Sequence, residues 1–138
     1  MKILVIEDQP TEMKLAQQVL RAAGHAVGAA EAAEQAAEAI KADRPQIILL
    51  DMVLPGMDGL TLVRKLKTDP ETRDIPIVAV TSYPEKYPKG ELLAAGCDAY
   101  FSKPLSPRSL PQELTEIVER GTTAACLATR IHHEHPHR

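Results

Sequence analysis

Glu7-Asp8, Asp51, Thr81-Ser82 and Ser102-Lys103 stand at or just beyond the ends of short apolar runs. Singly, an acid after a strand reads first as a helix N-cap, and Thr81 can be read the same way. Together they read differently, because ligands of parallel α/β sheets bind outside the carboxyl ends of the strands. Three carboxylates in one pocket repel and raise one another's pKa unless a cation intervenes. Such a site needs a divalent ion, a lysine, or both. An all-oxygen donor set suits Mg²⁺, and Lys103 supplies a point charge toward a phosphate or toward Asp51. A carboxylate beside a Lewis-acid metal, a hydroxyl and a lysine is a phosphoryl-accepting nucleophile. Metal and Lys103 would stabilise the equatorial oxygens of the transferring group, and Thr81 would donate a hydrogen bond.

The elements that must position these groups follow from periodicity. Apolar runs of strand length fall at 2–6, 46–50 and 75–80, with a weaker run at 26–30 and a brief one at 99–102. Stripes of helical spacing fall at 11–23, 32–42, 60–67, about 88–95 and 107–120. Gly24 signals the end of the first helix, and Pro55-Gly56-Met57-Asp58-Gly59 is dense turn chemistry. Strands buried on both faces read as unbroken apolar runs, as the first, third and fourth do, so five βα units predict a doubly wound parallel sheet. Residues 1–120 form one domain on this reading. Residues 121–138 lose periodicity and read as a flexible, His-containing C-terminal tail.

Composition narrows the function. The 138 residues are 44% hydrophobic and 25% charged, ordinary values for a globular domain. Aromatic residues make up 3%, with no Trp and one Phe, so the core is aliphatic and stacking platforms for single-stranded nucleic acid are excluded. The net charge of −3 provides no basic field for DNA or anionic lipid. No apolar run approaches the ~20 residues that span a bilayer, and the N-terminus lacks the pattern of a signal peptide. Cys97 and Cys126 form no CxxC motif and suit a reducing compartment. The expectation is a cytoplasmic protein that engages neither nucleic acid nor membrane.

Four segments carry a resemblance: Ile3-Leu4-Val5-Ile6-Glu7-Asp8; Ile48-Leu49-Leu50-Asp51 running on to Met57-Asp58-Gly59; Val80-Thr81-Ser82; and Gly96-Cys97-Asp98-Ala99-Tyr100-Phe101-Ser102-Lys103-Pro104. In this order and spacing the chain resembles the receiver domain of two-component response regulators, the CheY-like superfamily, across nearly all of residues 2–120. The resemblance implies a flavodoxin-like (βα)5 fold with strand order 2-1-3-4-5. It also implies a phosphorylation-dependent switch rather than an enzyme, with self-phosphorylation from small donors and slow autodephosphorylation only. Asp51 is then the phosphoacceptor, served by a phosphohistidine of a sensor histidine kinase or a histidine phosphotransfer protein. Asp8 ligates Mg²⁺ directly, Glu7 acts through water, and Asp51 and the backbone carbonyl of Val53 complete the set. Thr81 and Lys103 gather to the phosphoryl group, Tyr100 turns inward, and the face of the fourth helix, fifth strand and fifth helix is remodelled for a downstream protein. The bond between Lys103 and Pro104 is expected to be cis. The oligomeric expectation is a monomer or a phosphorylation-dependent dimer.

Other features carry weaker expectations. Tyr83 and Tyr87, in a Pro-rich loop before a shortened fourth helix, offer either a partner surface or ordinary loop packing. Val53 and Tyr83, each two residues beyond a site residue, suggest slow self-hydrolysis. His132, His133, His135 and His137 could bind Zn²⁺ or Ni²⁺, although a tail with adventitious affinity is the plainer reading. His25 reads as an exposed turn residue and Cys97 as a small core residue. A stand-alone receiver is the leading reading, and a receiver cut from a hybrid kinase or longer regulator is the alternative. An Mg²⁺-dependent phosphatase of the haloacid dehalogenase type would want Asp-x-Asp, and Asp51-Met52-Val53 lacks it. A nucleotide- or flavin-binding module would want anion donors where Glu7-Asp8-Gln9-Pro10 is acidic.

Overall fold

The computed structural model describes residues 1–54, 58–81, 88–103 and 105–121. Strands and helices alternate as β1 (Lys2–Ile6), α1 (Pro10–Ala22), β2 (Ala26–Ala30), α2 (Ala33–Ala42), β3 (Ile47–Asp51), α3 (Gly59–Thr68), β4 (Ile77–Thr81), α4 (Lys89–Ala95), β5 (Ala99–Ser102) and α5 (Leu110–Gly121). The strands form one sheet in the order β2-β1-β3-β4-β5, and every pairing is parallel. This is the expected doubly wound α/β architecture.

Successive strand side chains point to opposite faces, and the apolar runs therefore feed two cores. Leu4, Ile6, Ile48, Leu50, Ile77 and Ala79 pack with residues of α2, α3 and α4. Ile3, Val5, Ile47, Leu49, Val78 and Val80 pack with residues of α1 and α5 on the other face. Cys97 lies in the first core, where burial pushes its thiol up to about 12 and makes it inert.

Several boundaries differ from the periodic reading, each for a hydrogen-bonding reason. Asp51 and Thr81 are the last residues of β3 and β4 rather than the first residues beyond them. Polarity does not end a ladder while its backbone partners persist: Asp51 pairs with Val80, and Met52 N–H donates to Val80 O at 3.0 Å. β4 starts at Ile77 rather than Ile75, because Pro76 has no N–H and Ile75 N–H closes a turn on Thr72 O. α1 starts on Pro10, a residue suited to the first helical position. α5 starts at Leu110 after a turn over 107–109 and runs to Gly121, one residue past the predicted helix end.

Gly24 does terminate α1. At φ +94° its N–H donates to Arg21 O while His25 N–H reaches Leu20 O, the paired bonds of a Schellman motif. Gly59 serves close approach instead: a Cβ there would lie 2.6 Å from Met52 Cα. The start of α3 is thereby pressed against the residue that follows Asp51. No described helix is long and apolar enough to cross a membrane. The expectations for Ser82, Tyr83, Tyr87, Pro104 and the tail histidines lie outside the described residues.

Candidate phosphoacceptor and metal site

The strand order reverses between β1 and β3, and crossovers leave those two strands for opposite faces, so a crevice opens above their carboxyl ends. Glu7 follows β1 directly, its N–H donating to Ala30 O at 2.9 Å, which holds the residue in line with the sheet. Asp8 comes next and is half-buried. Asp51 closes β3 and is 6% exposed. Glu7, Asp8 and Asp51 can each offer one oxygen such that all three lie within 4.8 Å of one another.

Lys103 enters from the far side of the site. Its backbone N–H donates to Thr81 O at 2.9 Å, continuing the β4–β5 ladder by one bond. Its Nζ donates to Asp51 Oδ2 at 3.1 Å and Glu7 Oε1 at 3.2 Å, and also to Glu12 Oε1. The other Asp51 oxygen, Oδ1, accepts the Val53 N–H at 3.0 Å. Both oxygens of the carboxylate are therefore held, which fixes the plane of the group.

Electrostatics follow from this crowding. Burial, then the hydrogen bond and charge of Asp51, push Glu7 up to about 7, against the opposing Gln9 N–H and the Lys103 charge. Burial alone would lower Lys103. The hydrogen bonds to Glu12 and Asp51 and the charges of Asp51 and Glu7 outweigh it and hold the ammonium well above its ordinary value. Among the described residues, Glu7, Asp8, Glu12 and Asp51 still outnumber the Lys103 ammonium that meets them. A surplus of convergent carboxylate oxygens is a fitting donor set for a hard divalent cation such as Mg²⁺.

Most of the expected residues thus meet. Thr81 is fully buried at the end of β4, beside Ser102 in the β4–β5 register. Val53 lies with its backbone N–H against Asp51, and the residue is 42% exposed. Tyr100 stands apart from the charged cluster. It is half-buried against the core beneath α2, α3 and α4, and its hydroxyl oxygen accepts a hydrogen bond from Ser102 Oγ at 3.3 Å. Glu12 is the residue that the strand-end reading misses. Its only sequence signal is an acid in the first turn of α1, which by itself reads as ordinary complement to a helix dipole.

Comparison with known proteins agrees with this geometry. The response regulator receiver domain family matches residues 3–115. The phosphate regulon transcriptional regulatory protein PhoB of Pseudomonas aeruginosa is 38% identical over 118 residues, covering 86% of this chain and 52% of that protein. This chain therefore spans about half the length of that relative. The polar-differentiation response regulator DivK of Brucella anthropi is 35% identical over 104 residues, 75% of this chain and 85% of DivK. Among solved structures, the receiver domain of sensor histidine kinase PA1611 from Pseudomonas aeruginosa superposes with a TM-score of 0.77 at 28% identity, over 86% of this chain and 97% of that one. That structure has a magnesium ion coordinated in its active site cleft. Matched over most of its length, with the sheet order and strand-end acids already described, this chain belongs to the response regulator receiver domain family of two-component signalling.

Proposed function

We propose that Asp51 accepts a phosphoryl group from the phosphohistidine of a sensor histidine kinase or histidine phosphotransfer protein. An Asp51 carboxylate oxygen forms the new P–O bond as the P–N bond to the donor imidazole breaks. The departing nitrogen keeps the electron pair. The observation that carries this reading is the placement of Asp51: nearly buried at the end of β3, bonded to Lys103 through one oxygen and to Val53 N–H through the other, with Glu7 and Asp8 alongside.

Glu7, Asp8, Asp51 and the Val53 carbonyl would hold Mg²⁺, which when bound supplies positive charge against the phosphoryl oxygens. Lys103 supplies a further positive charge, already within hydrogen-bonding reach of Asp51. Thr81 offers a hydroxyl from the end of the adjacent strand. Movement of Thr81 and Lys103 toward the phosphoryl group is the switching event, and Tyr100 turns further inward in response. Its half-buried position supports that role. The face of α4, β5 and α5 then changes for a downstream protein partner.

On this reading the chain is a phosphoacceptor with slow autodephosphorylation, acting in the cytoplasm as a monomer or a phosphorylation-dependent dimer. It serves either alone or as the receiver of a longer regulator. The test is intact mass after incubation with acetyl phosphate or phosphoramidate and Mg²⁺. One phosphoryl mass should be gained by the wild type, and lost with EDTA or with Asp51→Asn. A wild type that gains nothing from either donor would overturn the proposal.

A further inference from the structure

Among the described residues, Glu12 is the charged group in contact with Lys103 that the proposed chemistry leaves without a task. It sits in the first turn of α1, its side chain 44% exposed, whereas the side chains of Glu7 and Asp51 are 8% and 7% exposed. An ammonium has three N–H donors. Lys103 places them on Glu7, Asp51 and Glu12, so its hydrogen-bonding capacity is filled. Any new acceptor must displace one of these.

The surroundings favour that arrangement. Glu12 and Lys103 both line a cleft of about 400 Å³ between α1 and the start of α5, whose walls include Leu15, Ala16, Val19 and Leu110. These apolar walls present the two charged ends to each other. The cleft also leaves Lys103 room to be drawn outward, toward α1, as well as inward to Asp51.

We infer that Glu12 is a positioning residue that tethers Lys103 to α1 in the unphosphorylated protein and restrains its delivery to a phosphoryl group on Asp51. The inference rests on the reading of Asp51 as phosphoacceptor, and it has two consequences. By taking a share of the ammonium, Glu12 leaves Glu7 and Asp51 freer to bind a cation. By holding Lys103, it slows the step that needs the lysine on phosphoryl oxygens.

The test uses the full chain with Glu12→Gln and Glu12→Asp. Glu12→Gln removes the charge and weakens the tether. Glu12→Asp keeps the charge but withdraws the carboxylate by one C–C bond, about 1.5 Å. Mg²⁺ affinity is read by calorimetric titration. Phosphoryl uptake from acetyl phosphate is read by intact mass at saturating Mg²⁺. Both variants should bind Mg²⁺ more weakly and take up phosphoryl faster, each by about threefold or more, the scale of a partly exposed charged contact. A Glu12→Asp protein that matches wild type while Glu12→Gln departs from it would mean that charge alone acts, and would overturn the tether. Two variants identical to wild type would overturn it as well. If wild type takes up no phosphoryl group, it is the reading of Asp51 that fails, and the Mg²⁺ titration still decides for or against Glu12.

Discussion

At the residue scale, Glu7 is a site carboxyl that folding alters strongly. It is raised to about 7 from an ordinary 4.5, chiefly by burial and then by Asp51. Between those values the folded protein binds more protons than the unfolded chain. Stability of the metal-free protein should therefore fall as pH rises from about 4.5 to about 7 and level off above. Glu7→Gln should remove this slope, which urea denaturation in EDTA across that range will measure; equal slopes in the two proteins would contradict it. The charged residues that close or follow strands, Asp51 and Lys103 among them, were legible because an apolar run broken by a charged group is a local pattern. Glu12 was not. Its contact with Lys103 spans 91 positions and joins α1 to the residue after β5, two elements whose strands are separated by β3 and β4. Glu12 lies inside a helix, where no strand end marks it.

At the element scale, a second lysine fastens helix to sheet at the end remote from the site. Lys67, near the end of α3, donates to Asp98 Oδ2 at 3.1 Å and to the carbonyls of Ile75 at 2.9 Å and Arg73 at 3.2 Å. Asp98 also accepts the Ile77 N–H at 2.9 Å, which sets the first residue of β4. Asp98→Ala takes the carboxylate from a largely buried ammonium and from a strand N–H together. It should cost about 2–3 kcal/mol in chemical denaturation, as expected when a charged hydrogen-bond partner is removed. Asp98→Asn retains an acceptor and should cost less. The order and type of the elements were legible because each run has a clean period. The edges of β4 and α5 were not, since Pro76 and the turn over 107–109 redirect backbone hydrogen bonds without altering the apolar pattern.

At the scale of the whole molecule, the two cores divide the helices between the faces of one sheet, and the site spans the seam where that division begins. A cation bound there draws on β1 and β3 at once, and these are central strands. Mg²⁺ should therefore stabilise the entire fold through mass action, by about 2.7 kcal/mol at a hundredfold excess over its Kd. A thermal melt should show a higher Tm with Mg²⁺ for wild type and little change for Asp8→Ala. The same shift in both proteins would place the ion elsewhere. The backbone supporting this seam has a further property. Glu7, Met52 and Lys103 each donate an N–H to a neighbouring strand, to Ala30 O, Val80 O and Thr81 O, one residue beyond the ends of β1, β3 and β5. Strand ends ordinarily fray, and their amide protons exchange with solvent on a far shorter timescale than those of the sheet centre. Here those three amides should exchange as slowly as the sheet interior, because the rungs that hold them continue the ladders. Exchange followed in D₂O would then assign the working motions of the site to its side chains, on a frame that opens only when the sheet itself does.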